Sequence, residues 1–159
     1  MNDFEFYLNE GDVRKRKPDM ELAKSLLNDA KYRIEKASKL DVKEFSKMVF
    51  ENFYDALRDM LDALLAADGY KSYSHEAAIA YLKKYGLSAL TQELDSFRAL
   101  RNASKYYGKE ISMDSADDIK GFFLDHAKSI EGIVGQRINN VQKNEQSSEK
   151  MNEPEEESP

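Results

Sequence analysis

Asp41-Val42-Lys43-Glu44-Phe45-Ser46-Lys47-Met48-Val49-Phe50-Glu51-Asn52-Phe53-Tyr54-Asp55-Ala56-Leu57-Arg58-Asp59-Met60-Leu61-Asp62-Ala63-Leu64-Leu65-Ala66-Ala67-Asp68-Gly69 decides the fold class. Asp41 and Glu44 have capping-box spacing, with Asp in place of Ser or Thr, and so predict a helix start. Phe45, Val49, Phe53, Leu57, Leu61 and Leu64 then recur every three or four residues, the period of one helix face. Met48, Phe50, Met60 and Leu65 widen that stripe until it can touch more than one partner helix. Gly69 supplies a stop.

Working outward, the same period recurs. Pro18 and Asp19 open a helix carrying Leu22, Leu26, Ala30, Ile34 and Ala37 on its apolar face. Ser74 is a good N-cap for a short helix from His75 to about Lys84. Gly86 breaks that helix and Ser88 is expected to cap the next, which turns Leu90, Leu94, Phe97 and Leu100 inward. Ser112 or Asp114 caps a fifth, with Ile119, Phe122, Phe123, Ile130, Ile133 and Val134 as its apolar face. No convincing strand alternation is found. Short connections between such helices predict an all-α, antiparallel bundle of four to five helices over residues 19–138.

Two flanks complete the expected organisation. Residues 1–18 combine an aromatic and acidic opening, Asp3-Phe4-Glu5-Phe6-Tyr7, with the basic run Arg14-Lys15-Arg16-Lys17. That run reads as a nucleic-acid patch or as a solvated arm before the first helix, and the arm is adopted here. Residues 139–159 lose apolar character and read as a disordered, acidic, protease-sensitive tail.

Bulk composition narrows the function classes. The chain has 159 residues, no Cys and a formal net charge of −6. Two Lys and six Glu after residue 138 account for −4 of that charge, so residues 1–138 carry only −2. Tight non-specific binding to duplex nucleic acid is not favoured by that balance. Without Cys there are no disulfides, thiolate metal sites or Cys nucleophile. No charged segment followed by an apolar run marks a signal peptide, and no stretch approaches the roughly 20 apolar residues of a membrane span. A cytoplasmic protein without membrane association is expected.

The chemistry-bearing residues are few. The two His stand far apart and no Glu-x-x-His pair occurs, so no metal or other cofactor is expected. His75 reads as a helix-start residue, and His126 as packing or surface. Asp55, Asp59 and Asp62 read as a solvated helix face. The exception is Arg98-Ala99-Leu100-Arg101-Asn102-Ala103-Ser104-Lys105-Tyr106-Tyr107-Gly108. Its functional reading is contact with phosphate or RNA, the Arg forks on phosphodiester oxygens and Tyr106 or Tyr107 stacked on a base. Its structural reading has Arg101 capping carbonyls or pairing with an acid such as Asp95, and the tyrosines packed beneath the following loop. The residues alone leave both open.

Phe53–Leu65, Gly69-Tyr70, Ser74–Ile79 and Phe97–Gly108 together resemble the HEPN domain (higher eukaryotes and prokaryotes nucleotide-binding). The opening with Phe4, Tyr7 and Gly11-Asp12-Val13 is similar to archaeal stand-alone members, and the likeness covers roughly residues 4–138. The resemblance implies a dimer with two Arg-polar motifs across a shared cleft. Many members are metal-independent ribonucleases, and others partner a nucleotidyltransferase in toxin–antitoxin pairs. Arg101 and Asn102 match the first half of the family motif, but Tyr106 stands where its His is expected. Tyr titrates near 10 and is a poor base beside His. The expectation is therefore a HEPN-like homodimer that binds nucleotide, RNA or a nucleotidyltransferase partner, non-catalytic or weakly catalytic. Arg98, Arg101, Asn102, Lys105, Tyr106 and Tyr107 would form its binding site. The alternative is a toxin-like endoribonuclease with Arg101, Asn102 and Tyr106 as catalytic residues, in which Arg101 stabilises the phosphorane charge.

Overall fold

The structure is a computed structural model and describes residues 1–151. Its elements are α1 (Phe4–Asn9), β1 (Val13–Lys15), α2 (Met20–Ala37), α3 (Ser46–Ala67), β2 (Tyr70–Ser72), α4 (His75–Tyr81), a 3₁₀ turn (Leu82–Tyr85), α5 (Ser88–Tyr107) and α6 (Met113–Met151). The fold is all-α apart from one antiparallel β1–β2 ribbon. No helix among the described residues is long and apolar enough to cross a membrane.

α3 is the central helix. Thirteen of its 22 residues are buried, from Val49 to Ala67. α2 packs along it on one side and α6 on another, while α4 and α5 close the remainder. Phe53 meets Phe123 of α6, and Phe50 meets Phe97 of α5, both edge to face with ring centroids 5.4 and 6.1 Å apart. The wide stripe thus meets α2, α5 and α6 of the same chain.

Capping chemistry explains most of the boundaries. Asp19 and Ser74 accept hydrogen bonds from the backbone N–H groups of Leu22 and Ala77, as their N-cap positions require. Ser112 accepts from Ser115 N–H ahead of α6. Two expected starts move. Asp41 does accept from Glu44 N–H, but it closes a separate turn, and α3 begins at Ser46. Ser88 lies inside α5, behind Leu87, which makes no side-chain cap bond. The apolar face of α2 is largely as expected: Ala30 and Ala37 are buried and Leu26 and Ile34 pack against the core, but Leu22 is exposed, and Met20, Ala23 and Leu27 join the buried side.

The N-terminal segment is not a free arm. Asp3 caps α1, Tyr7 and Val13 are buried with Ala77 and Ala80 of α4, and Val13–Lys15 pairs with Tyr70–Ser72. Three-residue strands are too short for alternation to register in the sequence. At the other end, α6 runs through Met151 rather than stopping near 138. Ile138 is buried and Val141 still packs against the core, and polar residues such as Gln142 and Lys143 are good helix formers that need no burial. Residues 152–159 of the expected tail lie outside the described residues.

Gly69 links the ribbon to α3. Its φ is +79°, its carbonyl accepts from Arg16 N–H at 2.8 Å, and a Cβ there would sit 2.7 Å from the Arg16 carbonyl oxygen. Gly69→Ala is expected to cost about 2 kcal/mol, from left-handed strain and the backbone clash. Urea denaturation reads this as a lower midpoint; an unchanged midpoint would show that the β1–α2 connection yields freely.

Candidate functional site

α5 carries the Arg98–Gly108 stretch, and its side chains meet residues that lie far away in the sequence. A cleft of about 260 Å³ is lined by Ser74, His75 and Glu76 from the start of α4 and by Arg98, Arg101, Asn102, Lys105 and Tyr106 from α5. Five of the six expected site residues therefore share one cleft. Tyr107 is not among its lining residues.

The arginines are held from behind. Arg98 pairs with Asp95 one turn back (Nε–Oδ1 2.7 Å) and with Glu76 of α4 (Nη1–Oε1 3.0 Å). Glu76 in turn accepts from the Tyr7 hydroxyl at 3.1 Å, so α1 helps to fix the wall of the cleft. Burial, together with hydrogen bonding and charge from Glu76, raises the Tyr7 phenol. Arg101 pairs with Asp55 of α3 (Nη2–Oδ1 3.1 Å), not with Asp95, and its guanidinium lies over the Tyr54 ring at 5.4 Å. Its Nε is buried with no acceptor. The structural reading of the stretch is thus realised in part for the arginines. It fails for the tyrosines: Tyr106 is 66% exposed and Tyr107 86%. Neither packs beneath a loop, and Lys105 Nζ lies 5.4 Å from the Tyr106 ring centroid.

His75 is the residue that sequence reasoning missed. Its ring stacks nearly parallel to that of Tyr54, with an interplanar angle of 9° and centroids 5.8 Å apart. Its Nδ1 shares a 2.7 Å hydrogen bond with the Tyr54 hydroxyl. Burial, then the charges of Arg58, Arg101, Arg98 and Lys105, push its pKa from 6.5 down to about 4. The imidazole therefore stands neutral at pH 7. Burial raises the Tyr54 phenol to about 12, so it too stays protonated. The one available signal was Ser74 as N-cap, which places His75 at a fixed helix start; nothing in the spacing showed that this start faces α5.

The acids of α3 are not a solvated face. Asp62 accepts from Arg58 Nε at 2.8 Å, and Asp59 forms an ion pair with Arg33 Nε at 3.5 Å without a hydrogen bond. Burial raises the Asp59 pKa to about 6 and also raises that of Asp62. These acids serve to place arginines behind the cleft and along α2. His126 packs its ring on Phe122, with centroids 4.7 Å apart. Among the described residues, no three His, Cys, Asp or Glu side chains gather as a metal site.

Comparison with known proteins gives no match: no family model, no curated protein and no solved structure is significantly similar to this chain.

Proposed function

We propose that the chain works as a HEPN-like homodimer whose α3–α4–α5 cleft binds the phosphate of a nucleotide or RNA, or docks a nucleotidyltransferase partner, with little or no catalysis of its own. The observation that carries this reading is the convergence of Arg98, Arg101, Asn102, Lys105 and Tyr106 on one polar cleft. Asp95, Glu76 and Asp55 hold the guanidiniums in place, which lowers the ordering cost of binding. Arg101 brings a buried N–H without an acceptor, a group that gains from a phosphate oxygen. Tyr106 offers an exposed ring for a base.

Titration of a fluorescent adenine nucleotide and of a labelled RNA into the protein tests the reading. Arg101→Ala is expected to weaken the bound ligand by about tenfold or more, the size of one charge-assisted hydrogen bond. Unchanged affinity would remove the cleft from consideration. Light scattering at micromolar concentration tests the pairing, and a monomeric mass would refute it.

His75 favours the ribonuclease alternative as a second reading, since it brings an imidazole to the Arg101-Asn102 pair from another helix. In that reaction the 2′-oxygen attacks phosphorus, a base takes the 2′-hydroxyl proton, and the 5′-oxygen leaves with a proton. A pKa of about 4 makes His75 a weak base and leaves almost no imidazolium to serve as the acid at pH 7, which is why binding stands first. Incubation of a mixed RNA pool in excess EDTA separates the two. Cyclic-phosphate ends that vanish in Arg101→Ala and His75→Gln establish the nuclease; intact RNA leaves the binding module.

A further inference from the structure

The basic run of the N-terminal segment is built into the β1–β2 ribbon. Arg14 is directly opposite Lys71 in the register, and backbone bonds from Arg16 N–H to the Gly69 carbonyl and from Tyr73 N–H to the Asp12 carbonyl carry the pairing one residue beyond each strand. Side chains at alternate positions share a face, so Arg14, Arg16, Lys71 and Tyr73 come together. The contacts agree: the Arg14 guanidinium lies 5.4 Å and the Lys71 ammonium 5.5 Å from the centroid of the Tyr73 ring. Hydrogen bonding by Arg16 leads the causes that draw the Tyr73 phenol below its ordinary range, followed by the charges of Lys71 and Arg14. Lys15 and Lys17 flank this group, and both are exposed.

Three features set this face apart. First, among the described residues none of Arg14, Lys15, Arg16, Lys17 and Lys71 forms an ion pair, whereas the arginines of the cleft are all paired with carboxylates. Second, like charges directly opposite across strands destabilise a ribbon, yet Arg14 and Lys71 occupy such a pair. The ring of Tyr73 offsets part of that cost, and a polyanion would remove the rest. Third, Tyr73 is 54% exposed, so a ring edged by three cations stands open to solvent. The ribbon borders a groove of about 480 Å³ whose lining mixes Arg16, Lys17 and Lys71 with the acids Asp19 and Asp62 and the apolar Leu22 and Leu26.

From this arrangement we infer that the β1–β2 ribbon is a binding surface for single-stranded nucleic acid, with Arg14, Arg16 and Lys71 on the phosphates and Tyr73 stacked on a base. A single strand is favoured over a duplex because its bases are free to stack on an open ring, whereas duplex bases are already stacked. It is favoured over an anionic membrane because the ring held between the Arg14 and Lys71 cations is a phenol, able to stack on a base, rather than an aliphatic group to insert among acyl chains. The site is separate from the α3–α4–α5 cleft, although Tyr73 immediately precedes Ser74, which lines that cleft. A strand on the ribbon therefore lies next to the cleft mouth.

The test is fluorescence anisotropy of the full chain with a labelled oligouridine of about ten nucleotides, within the span of a single-strand site. Arg14→Gln/Lys71→Gln is expected to weaken binding about tenfold and to flatten its salt dependence by about one to two phosphate equivalents. Tyr73→Ala is expected to weaken it at least about fivefold, while Tyr73→Phe, which keeps the ring, binds as the wild type. All these positions are exposed, and circular dichroism melting confirms that each variant folds. Arg101→Ala, run alongside, reports on the cleft alone. Ribbon variants that bind like the wild type overturn this inference whatever Arg101→Ala does. Two other results also overturn it: equal, Tyr73-independent binding of a duplex of the same length, and ribbon-dependent binding of phosphatidylserine vesicles without binding of oligouridine.

Discussion

Asp68→Ala is expected to cost about 3–5 kcal/mol, the largest loss of any single polar substitution in this chain. The Asp68 side chain is only 1% exposed, yet it is an ionised acceptor. Its two oxygens receive the hydroxyls of Tyr81 and Tyr85 and the Arg137 Nε, with the Lys84 ammonium at 3.4 Å. Burial by itself would raise its pKa, but the bonds from Tyr81, Tyr85 and Arg137, with the charge of Lys84, outweigh it and hold the carboxyl below the usual range. Removing it leaves two phenols and a guanidinium without their acceptor, at the point where the end of α3 meets α4, the 3₁₀ turn and α6. Thermal denaturation should show a fall on the order of 10 °C, given about 2–4 °C per kcal/mol for a chain of this size. Asp68→Asn retains one acceptor oxygen and should fall less. A loss no greater than that of an exposed carboxylate would show that the cluster contributes nothing to stability. Because α4 also carries His75, the same variant should loosen the cleft and weaken ligand binding.

The helical bundle was legible in the sequence because a buried helix face must repeat every three or four residues. Phe53, Leu57, Leu61 and Leu64 do so, and all four are buried. Where side chains mark a boundary chemically, it was legible too: Asp19 and Ser74 cap as expected, and the glycines at 69, 86 and 108 carry the positive φ that ends a helix. What escaped was whatever depends on distant partners. Leu22 fits a helix period as well as Ala23, and only the approach of α3 buries the alanine and leaves the leucine exposed. Short strands such as Val13–Lys15 acquire their identity from the opposing segment, not from their own pattern. The continuation of α6 past Val141 includes exposed polar residues such as Lys143 and Ser147, which composition alone had classed with disorder.

The site divides in the same way. Arg98, Arg101, Asn102 and Lys105 were legible as one cluster because positions three and four apart on a helix are neighbours. His75 and Tyr54 were not, since they come from α4 and α3 and only the packing of three helices unites them. The imidazole near Arg101 and Asn102 belongs to α4, some 26 residues before them in the chain, and not to the α5 motif.

His75 and Asp59 give the second large effect, and their signs are opposed. His75 has a folded pKa of about 4 against 6.5 unfolded, so the fold favours its neutral form. Its contribution to stability is complete above about pH 6.5 and is lost as pH falls toward 4. Asp59 has a folded pKa of about 6 against 3.8 unfolded, because burial, with Asp55, Asp62 and Asp29 nearby, outweighs the attraction of Arg33. Its contribution is complete below about pH 3.8 and is lost as pH rises through 6. Between pH 4.5 and 7 the two slopes oppose each other, which flattens the wild-type profile. Asp59→Asn leaves the His75 slope uncovered, so the protein should lose about 1–2 kcal/mol relative to the wild type on going from pH 7 to 4.5. His75→Gln leaves the Asp59 slope, and should gain about the same amount over that interval. Both magnitudes are discounted by about half for partial solvent exposure of the two groups. Urea denaturation of the three proteins at the two pH values reads the differences directly. Profiles of both variants parallel to the wild type would mean that neither pKa differs between the folded and unfolded chain; a reversed sign for His75→Gln would mean that the fold favours the charged imidazole, and the case for its role as a neutral imidazole beside Arg101 would fall with it.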